Sequence, residues 1–215
     1  MAKILAFLDG IKPIFSKVGA LAKKLRQSID ETVEGILTTS HRVERSARYW
    51  RKRLGELARD VPGAHGPQRH EGAVTDQALR DRVTDGIDPM SGTTTDAVTG
   101  KKHAKVRVAT KFNTEADYVR AYDHIFTERS TQLHDSAARA RYGGEKSFEV
   151  DFPISDIFAD GVNSRLKGYR RIGPRSSKKI ELVDFEGGYI RAIFKFREDG
   201  TFGLYTMYAN PRKQK

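Results

Sequence analysis

The sequence predicts an α+β fold. An N-terminal helical segment is followed by a compact domain of short helices packed on a mostly antiparallel, twisted sheet that ends in a β-hairpin. Three observations carry this. Apolar residues recur at three- to four-residue spacing through residues 3–60. From residue 104 onward the period shortens to two. Near the C-terminus two alternating runs, GYIRAIFKF and TFGLYTMYA, flank the turn REDG.

The elements follow in order. Leu5, Leu8, Ile11, Ile14, Phe15, Val18, Leu21 and Leu25 trace one helical face, which Pro13 kinks or restarts. Val43, Ala47, Trp50, Leu54 and Leu57 continue it, with cations on the other side. Residues 60–72, DVPGAHGPQRHEG, hold two prolines and three glycines and read as a linker between domains 1–60 and 61–215. VTDQALRDRV is a short helix capped by Thr75, with Ala78, Leu79 and Val83 on its apolar side. Residues 84–100 read as a mobile, turn-rich loop.

AKVRVATKF alternates as a strand. NTEADYVRAYDHIFTERSTQL is a helix capped by Thr114, with Val119, Tyr122, Ile125 and Phe126 inward. SFEVDFPI and KIELVDFE are strands. The basic stretch between them, residues 155–179, reads as irregular. On the last strand Phe202, Leu204, Thr206 and Tyr208 fall on one face by strict alternation. That face finishes with a threonine and a tyrosine where a core-facing strand would carry aliphatic residues.

Composition narrows the function classes. The 215 residues are 38% hydrophobic, enough to bury a sizeable core. Nothing approaches the run of about 18 apolar residues that a membrane span requires. The start, MAKILAFLDGIKPIF, is interrupted by Asp9, Lys12 and Pro13 and lacks the pattern of a signal peptide. Without cysteine there are no disulfides and no thiolate metal sites. The formal net charge of +11 suits a phosphate polymer or an acidic protein partner.

No glycine-rich phosphate loop and no G-x-S-x-G elbow is present. The six histidines, at 41, 65, 70, 103, 124 and 134, show no HxH or HxxxH metal pairing. No metal or other cofactor is expected. RNA cleavage without metal needs only a histidine, a few cations and hydroxyl groups, because RNA supplies its own nucleophile, the 2′-OH. Composition permits that chemistry without selecting it.

RHEGAVTDQALRDRV, RVATKFNTEADYVRAY and GYIRAIFKFREDGTFGLYTMYANP, in this order, resemble the bacterial RNase A-like toxin domain. That family forms the C-terminal tips of contact-dependent growth inhibition proteins and other polymorphic toxins. The resemblance covers about residues 69–211. It implies a metal-independent endoribonuclease that leaves a 2′,3′-cyclic phosphate. By position, His70 matches the family's catalytic histidine. Arg82 matches its helix arginine, with one extra residue in GAVTD, and Thr206 and Tyr208 match its terminal pair.

The resemblance further implies RNA as substrate, tRNA among the candidates, and a cognate acidic immunity protein. It implies secretion from one bacterium, action in the cytoplasm of another, and a delivery or entry role for residues 1–60. His65 and His103 compete with His70 for the catalytic role. His103, Lys111, Arg165, Lys167, Arg170 and Arg171 are the expected RNA-contacting residues, with Lys111 equally readable as a solvated strand residue. Two alternatives stand beside this reading. One is a non-catalytic nucleic-acid-binding module built on RLKGYRRIGPRSSKK, with Tyr169 for stacking. The other is an EndoU-like toxin ribonuclease, which would want a second catalytic histidine.

Overall fold

The computed structural model describes residues 24, 25, 28, 29, 32, 46–159 and 161–212. Contacts divide the chain into two units, Met1–Tyr49 and Trp50–Lys215. The described residues of the first unit are helical, and Thr32 Oγ1 donates to the Ser28 carbonyl at 2.8 Å. The apolar face traced by residues 5–21 lies outside the described residues. No helix among the described residues is long and apolar enough to cross a membrane.

The second unit is α+β. Helix α1 (50–57) sends Leu54 and Leu57 into the main core beside Trp50. Residues 50–57 therefore pack with the C-terminal part of the chain. Next come α2 (Gly66–His70), α3 (Asp76–Thr84), β1 (Val108–Phe112), α4 (Glu115–Thr127) and α5 (Ser130–Tyr142). They are followed by β2 (Ser147–Pro153), α6 (Ile154–Ile157), α7 (Val162–Arg165), β3 (Leu166–Arg171), β4 (Ile180–Leu182), β5 (Tyr189–Phe196) and β6 (Phe202–Asn210). Among the described residues the strands form two antiparallel three-stranded sheets, β1-β3-β4 and β2-β5-β6. The C-terminal hairpin is β5–β6.

The caps form where the sequence puts them. Thr75 Oγ1 accepts the Ala78 N–H at 3.1 Å, and Thr114 Oγ1 accepts the Asp117 N–H at 3.0 Å. The helix expected over 113–133 is two helices, because α4 ends at Thr127 and α5 starts at Ser130. Leu133, Ala137 and Ala140 give α5 its buried stripe. The main core lies between α4, α5 and the β2-β5-β6 sheet, and Val74, Leu79, Val83, Ala109 and Tyr169 form a second cluster beneath α3.

Three expectations need correction. First, the basic stretch 155–179 is not irregular throughout, since Leu166–Arg171 is the central strand β3. Its cations hide the pattern, yet Leu166, Gly168, Tyr169 and Arg171 are all buried. Arg171 is accommodated there because its guanidinium donates to the Val83 and Val106 carbonyls.

Second, residues 60–72 are not a linker. They contain α2, in which Gly66, Pro67, Arg69 and His70 are buried. Proline in the first turn suits a helix start, where its missing N–H costs nothing. Gly66 lets α2 lie directly on β6. A Cβ there would stand 3.1 Å from Met207 N and 3.2 Å from Thr206 Cα, and would collide with Tyr118 Oη. Upstream, Asp60 Oδ2 accepts the Leu204 N–H at 2.7 Å, Arg197 clasps both the Asp60 carboxylate and its carbonyl, and the His65 N–H donates to Tyr205 O at 3.1 Å. The segment thus runs along the outer edge of β6.

Third, strict alternation fails on β6. Ile193 pairs with Thr206 but Phe194 pairs with Leu204, so Tyr205 is an extra residue in a β-bulge. Leu204, Met207 and Ala209 face the core, opposite Phe194, Ala192 and Ile190. Thr206 and Tyr208 lie on the other face, opposite Ile193 and Arg191. The bulge, not the pleat, separates these polar residues from Phe202 and Leu204.

Replacing Gly66 with alanine should cost about 1–3 kcal/mol by overpacking against β6. Gly143→Ala should not, because Gly143 has φ −72° and its nearest new contact would be 3.4 Å away. Urea titration of both variants checks this, and equal stabilities would show that α2 is not seated as described.

Candidate active site

A cavity of about 210 Å³ opens where β1 of one sheet meets β6 of the other. Helix α2 packs on β6 and β1, and α3 packs on β1 and β3, so both helices border it. The seam is tied by Thr110 Oγ1, which donates to Ala209 O at 2.7 Å. His65, His70, Arg82, Thr206 and Tyr208 all line the cavity.

His70 ends α2 and is 6% exposed. Its Nδ1 lies 2.9 Å from the Thr110 carbonyl. A carbonyl only accepts, so Nδ1 carries the proton and Nε2 keeps its lone pair. The ring stacks on Tyr208, with centroids 5.3 Å apart and planes at 27°. Burial, then the nearby Arg82 cation, hold the His70 imidazole well below its ordinary 6.5, so it is neutral at pH 7.

Arg82 comes from the last turn of α3. Its Nε and one terminal nitrogen are buried with no hydrogen-bond partner. Burial and the neighbouring Arg69 pull it down to about 10, which leaves it cationic at neutral pH. Thr206 Oγ1 is likewise buried and unpartnered. Burial pushes the half-buried Tyr208 phenol upward, so it remains a proton-bearing donor. A buried guanidinium and hydroxyl left unpaired are costly. Their convergence on one cavity supplies donors for an oxyanion.

Two neighbours complete the arrangement. His65, 7% exposed, donates from Nδ1 to the Gly63 carbonyl at 2.9 Å and meets the Tyr205 ring edge-on at 4.7 Å. Burial and the Arg69 and Arg82 cations lower its proton affinity, opposed by the Gly63 hydrogen bond. It is one of the two histidines that compete with His70 in the sequence, and the fold brings it to the same cavity as His70. The signal was HGPQRH, since Gly-Pro starts a helical turn that brings residues 65 and 70 to one place.

Arg69, unremarked in the sequence, is 6% exposed. It donates to both Asp88 oxygens at 3.0 and 2.9 Å and to Asp96 Oδ2 at 2.8 Å. These bonds pin the 84–100 loop to α2, so the segment expected to be mobile is anchored at its centre. Burial opposes ionisation of Asp96, but the Thr99 and Val98 N–H groups and Arg69 bring it down to about 2. Asp88, Asp96 and His103 offer ligand atoms within 4.8 Å of one another. Arg69 and the N–H groups of Met90, Ala97, Val98 and Thr99 already occupy those carboxylates, so the cluster holds a guanidinium.

The expected RNA-contacting residues do not gather here. His103 is buried, with Nδ1 donating to the Gly86 carbonyl at 3.1 Å. Lys111 is 9% exposed and its ammonium is held by Val74 O and by Asp76 at 3.3 Å. Lys167 pairs with the same Asp76, and Arg165 donates to Asp117 at 3.1 Å. Arg171 is the buried structural cation of β3. Arg170 lines a second pocket and has a long 3.4 Å contact to Glu181.

No family model matches the chain, and no curated protein does. The crystal structure of a CdiA-CT/CdiI complex from Y. kristensenii 33638 is similar at 15% sequence identity and a TM-score of 0.37, over 66% of this chain and 96% of that chain. The likeness is too loose to define a shared fold.

The buried histidine has a thermodynamic signature. The unfolded chain takes up a proton at His70 near pH 6.5, whereas the folded chain resists it. Stability should be fully present above that pH and fall as pH drops below it. His65 and His103, also lowered, act in the same direction. A His70→Asn variant should lose up to about 1.4 kcal/mol per pH unit of that slope. Urea unfolding between pH 5 and 7.5 measures it, and an unchanged slope would mean His70 protonates freely in the folded state.

Proposed function

We propose that the unit Trp50–Lys215 forms a metal-independent ribonuclease, the toxic domain of an antibacterial protein. The observation that carries the chemistry is the set of unpaired groups in one cavity, namely Arg82 and Thr206 beside two histidines with free Nε2 atoms. A module that only binds nucleic acid has no need of two buried, desolvated histidines there.

The reaction begins when His70 Nε2 takes the proton of a substrate 2′-OH, and the 2′-oxygen attacks the adjacent phosphorus. Charge builds on the non-bridging oxygens. The Arg82 guanidinium and the Thr206 and Tyr208 hydroxyls donate to them. The bond from phosphorus to the 5′-oxygen breaks, and protonated His65 gives that oxygen its proton. The products are a 2′,3′-cyclic phosphate and a free 5′-OH, and proton exchange with solvent resets both imidazoles.

The family resemblance extends the reading to delivery into a competing cell and to an acidic immunity protein in the producer. The net charge of +11 suits both RNA and such a partner.

RNA should be cut and DNA of the same sequence spared, with full activity in EDTA. Cleavage of DNA would discard the mechanism. His70→Ala should lower kcat/KM about 10²–10⁴-fold. Tyr208→Phe should lower it with little change in Tm; unchanged cleavage with lowered Tm would make Tyr208 a structural tyrosine. Both histidines are held below 6.5, one needed neutral and the other protonated, so kcat/KM should peak on the acid side of that value. A maximum above pH 7.5 would remove His65 as the acid.

A further inference from the structure

A second pocket, of about 360 Å³, adjoins the cavity and shares Val108 and Asn210 with it. It sits on the same seam between the sheets, where Val108 pairs with Arg170 and Tyr189 pairs with Asn210. Three of its lining residues are arginines, Arg107, Arg170 and Arg212, and one is an aromatic, Tyr189. Arg107 and Arg212 are exposed and make no ion pair among the described residues. Several other cations of this domain are consumed. Arg69, Lys111, Arg165 and Lys167 are held by carboxylates, and Arg191 is bound by Asp151 in two bonds of 2.7 Å.

Unspent guanidinium groups beside an aromatic ring have the chemistry of a site for a phosphate and a base. Arginine holds the phosphate as a planar fork, and the ring offers a stacking face that accepts any base. The shared wall means that a strand whose scissile phosphate lies in the cavity can continue into this pocket.

We propose that this pocket is a nucleotide subsite, binding the phosphate and base next to the scissile linkage of an RNA strand. Arg107 and Arg212 take the phosphate, supported by Arg170, and Tyr189 stacks on the base. The subsite rests on the reading of the cavity as the cleavage site. It goes beyond that reading by giving the enzyme a preference for substrates longer than a dinucleotide.

The test compares a dinucleoside monophosphate, whose one phosphate is the scissile one, with trinucleotides extended on the 5′ or the 3′ side. The wild type should prefer one extension by about tenfold or more in kcat/KM, within the range that stacking of one base supplies. In Arg107→Ala/Arg212→Ala the ratio of extended to short substrate should fall to about one. Its log–log salt dependence should flatten by about 0.7 for the lost phosphate contact. Tyr189→Phe should keep the preference and Tyr189→Ala should lose most of it. A wild type indifferent to length, or a double variant with an unchanged ratio, overturns the subsite while leaving the cleavage site intact. If the wild type cuts no RNA, the cleavage reading fails. The subsite is then judged by equilibrium titration of 2′-deoxy versions of the same oligonucleotides, and equal affinities for short and extended forms in the wild type would overturn it.

Discussion

Everything around the cavity depends on the buried bond between Arg69 and Asp88. Asp88 is fully buried, and Arg69 is nearly so. Removing one partner of such a pair typically costs about 3–5 kcal/mol, because the other charge is left in a low-dielectric interior. The arrangement is fully satisfied, since Asp88 also accepts from Met90 and Ala97 and Asp96 accepts from Val98 and Thr99. It joins the short helix that ends in His70 to the loop that follows the helix bearing Arg82. It also assigns the two neighbouring cations different tasks. Arg69 is neutralised by its carboxylates, and Arg82 is left with unpaired donors and a like charge nearby.

A second constraint acts on the opposite wall. The hairpin must give aliphatic residues to the core and hydroxyl groups to the cavity from one strand. Alternation alone would put Leu204, Thr206 and Tyr208 on one face. The extra residue at Tyr205 breaks that parity, and its ring packs against both His65 and the Lys195 ammonium. The irregularity therefore positions two elements at once, the outward pair on β6 and the entry to α2.

The chain disclosed these features unevenly. His70, Arg82, Thr206 and Tyr208 were singled out by position through the family resemblance, and the fold places all four around one cavity. Caps such as Thr75 and Thr114 were legible because they act within one turn. The bulge was not, since it depends on the register with β5. Arg69, Asp88 and Asp96 were hidden because an ion pair across nineteen and more positions leaves no local periodicity. The strand β3 was masked by its own charge, because Arg170 and Arg171 look solvated until their carbonyl and carboxylate partners are in place. A proline- and glycine-rich stretch read as a spacer became α2, where Gly66 serves close approach instead of flexibility.

Thr110 links distance to chemistry. Its hydroxyl closes the seam to Ala209, while its carbonyl fixes which nitrogen of His70 carries hydrogen. One residue therefore reads the spacing between two sheets and writes the tautomer of an imidazole. Prying the sheets apart by a fraction of an ångström would blur that choice without touching any group in the cavity. Thr110 thereby ties the placement of β6 to the protonation pattern of a ring on α2.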